Sequence, residues 1–189
     1  MSFLIQKGSG YLVVADEIAR TLAYPAPVDG QQVFNKRTNL IETFDAYFGL
    51  WLNSDMVVAV ENSSYPVVKG QVCYAASSQI VGSVNYMDVR TSGGTIPDPS
   101  IIQTIGVCVQ VGVVTGTYNF ISIAKSGNYY VDSVGTISAG SHVKVSSTSG
   151  KIETTATLGA DTFGISVNQT GDSPTYPTQT LISINNSYV

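Results

Sequence analysis

Charge is scarce in this chain of 189 residues, in which Asp, Glu, Lys and Arg together make up only 12%. A typical soluble domain carries about twice that share, roughly 25%. The net charge of −4 and the pI near 4.7 also argue against the clustered basic surface that binds nucleic acid. We therefore expect no nucleic-acid partner. We expect a surface solvated mainly by uncharged polar side chains and partly covered by other proteins.

Residue types that perform acid–base chemistry or bind metals are equally rare. The chain has one histidine, His142, and two cysteines, Cys73 and Cys108, which do not form a CxxC pair. A multi-histidine metal site, a zinc site and a Ser-His-Asp triad are therefore not expected. The acidic residues of the second half are scattered through predicted turns and strand ends and do not suggest the facing pair of a glycosidase. We expect no cofactor, no enzymatic activity, and buried thiols in preference to a disulfide.

Long apolar runs are also missing. No stretch of about 18 apolar residues occurs, so we expect no membrane span. The first eight residues lack a charged region followed by a long apolar stretch, so we expect no secretory signal and synthesis in a cytoplasm.

Short runs of β-forming residues, broken by Gly, Ser and Thr, dominate the chain from residue 56 onward. Apolar and polar residues alternate within them, and turn signals recur about every 8 to 12 residues, as in sandwiches and barrels. The pattern predicts a mainly β fold with a small β-barrel or sandwich core over residues 56–189.

Residues 1–55 are predicted to form an N-terminal arm with a helix. Residues 16–23 could form a short helix that begins with acidic residues. The stronger helix prediction is residues 39–53, where Asn39 and Glu42 resemble a capping box. Five large residues there have helical spacing: Leu40, Phe44, Tyr47, Phe48 and Trp51.

The apolar residues of the N-terminal segment have no obvious place in a barrel built from later strands. Pro25 and Pro27 stiffen the extended backbone that follows the first predicted helix. We therefore expect residues 1–36 to pack on a partner chain. The candidate partner-binding residues are Phe3, Leu4, Ile5, Tyr11, Leu12, Val13 and Tyr24.

From residue 66 onward the chain resembles the bacteriophage head decoration (capsid cement) proteins, which have a small β-barrel or β-tulip-like core. The residues that carry the resemblance are VVKGQV (67–72), GV (106–107), IAKSG (123–127), ISAGSHVKV (137–145), TSGKI (148–152) and FGISV (163–167). The resemblance implies a non-enzymatic protein on the capsid exterior that binds the major capsid protein and reinforces the shell.

Self-association is expected as well, with a homotrimer favoured, because closed symmetry hides apolar surface. The alternative is a carbohydrate- or receptor-binding β module of a viral fibre or adhesin. A hydrolase is the third interpretation. The eleven tyrosines suit an interface but are equally compatible with half-buried strand positions. Tyrosines gathered in one groove would favour sugar binding, and tyrosines spread over a flat surface would favour a protein partner.

Overall fold

The computed structural model describes residues 10–62, 64, 66–91, 104–156 and 162–184. Its architecture is mainly β with one short helix in the described part, as predicted. Helix α1 spans Glu17–Ala23. The strands are β1 (Leu12–Val14), β2 (Gln32–Asn35), β3 (Leu40–Asp45), β4 (Leu50–Leu52), β5 (Met56–Asn62), β6 (Val72–Val81), β7 (Val84–Thr91), β8 (Thr104–Thr115), β9 (Tyr118–Ala124), β10 (Gly127–Asp132), β11 (His142–Val145), β12 (Ile152–Thr154), β13 (Thr162–Ser166) and β14 (Gln179–Ile184).

Helix α1 forms where the first, shorter helix was predicted. Asp16 caps it, and its carboxylate accepts a hydrogen bond of 2.9 Å from the backbone N–H of Ala19. Glu17 lies in the first turn, where the helix dipole favours an acid. The helix ends at Ala23, and its C-cap Tyr24 stands directly before Pro25, which cannot continue it.

The helix predicted over residues 39–53 is wrong, because this segment forms strands β3 and β4 in an antiparallel hairpin. Asn39 does not cap a helix. It has φ of 59° and ends the turn before β3, and Gly49 has φ of 65° in the turn before β4. Asn and Gly are the residues that tolerate this backbone conformation in tight hairpin turns. Two such positions ten residues apart favour strands over a helix.

The N-terminal unit, residues 10–52, is a four-stranded sheet in the order β1-β2-β3-β4, with α1 as the crossover between the parallel strands β1 and β2. Its core consists of Val14, Val33 and Trp51, with Leu12, Ala19, Tyr24 and Phe44 packed around them. Arg20 and Glu42 form a buried ion pair beside this core, and the Arg20 guanidinium lies over the Trp51 ring.

Strands β5, β7, β6, β8 and β9 form a closed barrel, so the predicted small β-barrel core is confirmed. The apolar residues that fill its interior are Ala59, Val67, Cys73, Val89, Cys108, Ile121 and Ile123. Glu61 is also buried there and accepts hydrogen bonds from the backbone of Val67 and the amide of Asn119.

A second sheet, in the order β10-β14-β13-β11-β12, packs against the outside of the barrel. The shared core joins barrel residues such as Val72 and Val107 to sheet residues such as Ile182. On β13 and just after it, Ile165 and Val167 are 44% and 49% exposed, whereas Ser166 is buried. The inner face of this strand therefore carries a small polar residue and its outer face carries aliphatic ones.

Candidate interaction surfaces

The structure separates the predicted partner-binding residues. Phe3, Leu4 and Ile5 lie outside the described residues. Leu12 and Tyr24 pack on the core of their own N-terminal unit, and the Tyr24 ring lies 6.1 Å from that of Trp51. Tyr11 is half-buried ahead of β1. Val13 points to the opposite face of the sheet from Leu12, because neighbouring strand residues face opposite ways.

Val13 belongs to an apolar row that crosses three strands. In the strand register it pairs with Phe34, which pairs with Ile41. Residues directly opposite each other share a face, so the three side chains lie together on the face turned away from α1. Val13 and Phe34 are half-buried, and Ile41 is 40% exposed. We call these three residues the N-terminal row.

A second apolar surface lies where the turn before β4 meets the outer face of the barrel. The ring of Phe48 lies 5.0 Å from that of Phe120 and 6.1 Å from that of Tyr86, both edge to face. The Tyr47 ring lies 5.0 Å from that of Phe48. Edge-to-face contacts of this kind add to the stability that burial provides. Phe120 is buried beneath the others, whereas Tyr47 is 64% exposed.

The hairpin of β6 and β7 extends this surface. Val81 lies opposite Val84, and Gln79 lies opposite Tyr86, so their side chains share one face. The Tyr118 hydroxyl donates to the side-chain oxygen of Gln79 at 2.8 Å and ties the hairpin to β9. We call the combined surface the aromatic patch, and it consists of Tyr47, Phe48, Val81, Val84, Tyr86 and Tyr118.

The segments that build the aromatic patch contain no charged residue. Asp, Glu, Lys and Arg are missing from residues 46–54, 75–87 and 104–124. Asp45, at the edge, uses its carboxylate to accept hydrogen bonds from the backbone of Tyr47 and Phe48. The pKa of Tyr86 is raised, first by desolvation and then by Tyr47 and Asp45. The patch is thus an apolar surface with phenol groups at its margin.

A polar cluster around Glu17 joins all three parts of the fold. Its carboxylate contacts Arg37 at 2.5 Å, Lys69 at 3.0 Å and the hydroxyl of Tyr176 at 2.8 Å. Tyr176 stacks on Tyr130 at 4.4 Å, and the Arg37 guanidinium lies 4.9 Å from the Tyr130 ring. Burial alone would raise the pKa of Glu17, but Lys69 and Arg37 outweigh it and lower the pKa to about 2. We call these five residues the Glu17 cluster.

Sequence reasoning missed the Glu17 cluster. Arg37 lies between β2 and β3, Lys69 between β5 and β6, and Tyr176 between β13 and β14. Glu17 and Tyr176 are separated by 159 positions in the chain. The only local signal is Glu17 in the first turn of its helix, which indicates a favourable dipole position and not a partner.

The residues searched for chemistry are dispersed in the structure. Cys73 and Cys108 are free and buried, as predicted. His142 is half-buried on β11, with an enclosed Nδ1 that has no hydrogen-bond partner. Among the described residues no group of three or more His, Cys, Asp or Glu is placed to hold a metal ion. In the same ranges no helix is long and apolar enough to cross a membrane.

Comparison with protein-family models, curated proteins and solved structures gave no significant match to this chain.

Proposed function

We propose that this chain is a virion structural protein, a decoration protein that binds the major capsid protein on the outside of a viral head and stabilises the shell. The observation that carries the proposal is the presence of two apolar surfaces on one β scaffold. The N-terminal row lies on the sheet of the N-terminal unit, and the aromatic patch lies on the barrel. A protein that reinforces a shell must hold at least two neighbours at once, so it needs two such surfaces.

The units that carry the two surfaces are joined by buried contacts. Leu50 of β4 is fully buried against Val60 and Phe120 of the barrel. The Glu17 cluster ties the same N-terminal unit to the second sheet through Tyr130 and Tyr176. An interface built on pre-organised elements loses less conformational entropy when it forms.

A protein partner fits the aromatic patch better than a sugar does. Val81 and Val84 flank the rings, and the Tyr118 hydroxyl is already bonded to Gln79. Binding sites for polar ligands pair apolar walls with several convergent hydrogen-bonding groups. The tyrosines are also not all gathered in one place: Tyr47, Tyr86 and Tyr118 lie in the patch, whereas Tyr130 and Tyr176 belong to the separate Glu17 cluster.

Co-sedimentation with viral heads tests the proposal. The purified chain should bind saturably to viral heads that were assembled without it by the virus that encodes it. Binding should raise the temperature at which these heads release their DNA. We assign the N-terminal row to the shell, so Ile41→Asp should weaken binding at least tenfold. Ile165→Asp is the matched control, because Ile165 is 44% exposed against 40% for Ile41 and lies on another sheet. Heads that neither bind the wild-type chain nor contain it in infected cells would contradict the proposal.

A further inference from the structure

We propose that the aromatic patch is covered by a second copy of this chain. The proposal deepens the proposed function by assigning the second of the two apolar surfaces, and leaves the N-terminal row for the shell. It predicts that the chain associates with itself in solution, before any shell is present.

The exposure of the patch indicates that it needs a cover. Tyr47 is 64% exposed and Val84 is 51% exposed, and four half-buried apolar or aromatic residues lie between them. Apolar surface left in water costs about 25 cal/mol per Å². Single exposed apolar residues are ordinary on a monomer, but a contiguous group of this kind marks a contact site.

The absence of charged residues from the segments that build the patch indicates that its partner is a second copy of the chain. In a two-fold symmetric contact the same residues face each other across the axis, so a charge of one sign near that axis would repel itself. Segments 46–54, 75–87 and 104–124 carry no charge of either sign, and can therefore face themselves. A foreign partner is usually selected by complementary charges, which these segments do not offer. Homomeric interfaces are also the more apolar class.

The net charge of the chain supports the same assignment. All of its excess of four negative charges lies outside these three segments. The acid that the patch contacts is Asp45, at its edge, whose carboxylate accepts hydrogen bonds from the backbone of Tyr47 and Phe48. Two copies that approach through the three uncharged segments therefore bring few acidic residues together. The association should therefore weaken little as salt is raised, because no ion pair holds it.

The patch is also rigid enough to bind itself without a large entropic cost. The backbone of Tyr47 is held by the hydrogen bond of 2.9 Å from its N–H to Asp45, and its ring lies 5.0 Å from that of Phe48. Phe48 and Tyr86 rest on the buried ring of Phe120. Tyrosine and valine lose little side-chain freedom on binding compared with long flexible residues.

Sedimentation velocity on the full chain tests this assignment. From about 1 to about 100 μM, where associations of ordinary strength are resolved, the wild-type chain should sediment as an oligomer. Val84→Asp should shift it to a monomer of 20.0 kDa. Val167→Asp is the matched control at 49% exposure against 51%, and should leave the oligomer intact.

A photo-cross-linker at position 47 provides a second measurement that does not depend on a destabilising charge. The chain that carries the cross-linker is otherwise wild type. When it is purified and irradiated it should give a covalent dimer, and the linked peptide should map to residues 77–87 or 110–123 of the second copy. A wild-type monomer throughout this concentration range would overturn the proposal, as would Val84→Asp that sediments as the wild type. Either result would leave head binding through the N-terminal row intact, so failure of this proposal is distinguishable from failure of the proposed function.

Discussion

The interior of the barrel sets the reactivity of its two thiols. Burial raises the pKa of Cys108 to about 12 and raises the pKa of Cys73 well above its ordinary value. The nearby carboxylate of Glu61 acts in the same direction on both. A thiol must ionise to react, so neither should behave as a nucleophile in the folded chain.

We therefore predict that a small thiol reagent does not label the native protein at neutral pH, while both cysteines react at once in denaturant. The rate of native labelling should follow the rate of barrel opening. Mass spectrometry after timed labelling measures it. Rapid labelling of either cysteine under native conditions would show that the barrel is open at that position.

Protonation of Glu17 should lower the stability of the fold at acidic pH. Its pKa falls from 4.5 to about 2 on folding. A depressed pKa in the folded state contributes stability that is present above about pH 4.5 and is lost as the pH falls toward 2. Its side chain is only 13% exposed, so solvent screens the contacts little.

Glu17→Gln should therefore lower the free energy of unfolding at neutral pH by about 3 kcal/mol. It should also flatten the loss of stability between pH 4.5 and 2, because the group that titrates is gone. Glu153→Gln is the control, since its contact with Lys144 is one third exposed on both sides and should contribute less than about 1 kcal/mol. Denaturant unfolding across that pH range is the measurement. If the two substitutions lowered the free energy of unfolding equally, the stabilising role assigned to the Glu17 carboxylate would be wrong.

Among the elements, the contact between β4 and β8 decides how the N-terminal unit sits on the barrel. The backbone N–H of Val113 donates to the carbonyl of Phe48 at 2.8 Å. Gly112 lies beside it, and a Cβ there would overlap the Phe48 carbonyl oxygen and contact Leu50. Only glycine allows the two backbones to come this close.

Gly112→Ala should displace the turn that carries Phe48, and should cost about 2 kcal/mol or more, as overpacking does. Trp51, the only tryptophan, is 4% exposed on β4 and reports the change through its fluorescence. Gly116→Ala is the control, because nothing beyond its two chain neighbours lies within 4 Å of its Cβ position. With φ of 64° at Gly116, its cost should be about 1 kcal/mol without a change at Trp51. A Trp51 spectrum unchanged in Gly112→Ala would contradict the described contact.

The elements also show which parts of the fold can be read from sequence. Barrel strands such as β8 and β9 were predictable, because alternating valines and isoleucines leave few other structures. Residues 39–53 misled the prediction, because two strands separated by a turn brought five large residues into helical spacing. The better sequence signal was the presence of Asn39 and Gly49, two residue types that tolerate the positive φ both adopt in the structure.

The interaction surfaces were harder to predict than the strands. Val13 was identified as a contact residue, but its neighbours Phe34 and Ile41 become neighbours only through strand register. The aromatic patch likewise joins Tyr47 to Val84 and Tyr118 across three segments of the chain. Register and packing between distant segments are set by the whole core, so local patterns do not contain them.

At the scale of the whole molecule, three units are fixed to one another by different forces. Apolar packing of Leu50 on Phe120 joins the N-terminal unit to the barrel, and a shared core joins the barrel to the second sheet. The Glu17 cluster connects all three. This arrangement connects the N-terminal row and the aromatic patch through packed elements, which the proposed role in a shell requires.

A reconstruction of the virion by electron cryo-microscopy tests the central claim most directly. The account predicts density for this chain on the outside of the head, with the N-terminal row against the major capsid protein. It also predicts aromatic patches of neighbouring copies facing each other. Density for the chain in a tail fibre, or heads with no such density at any symmetry position, would contradict the account.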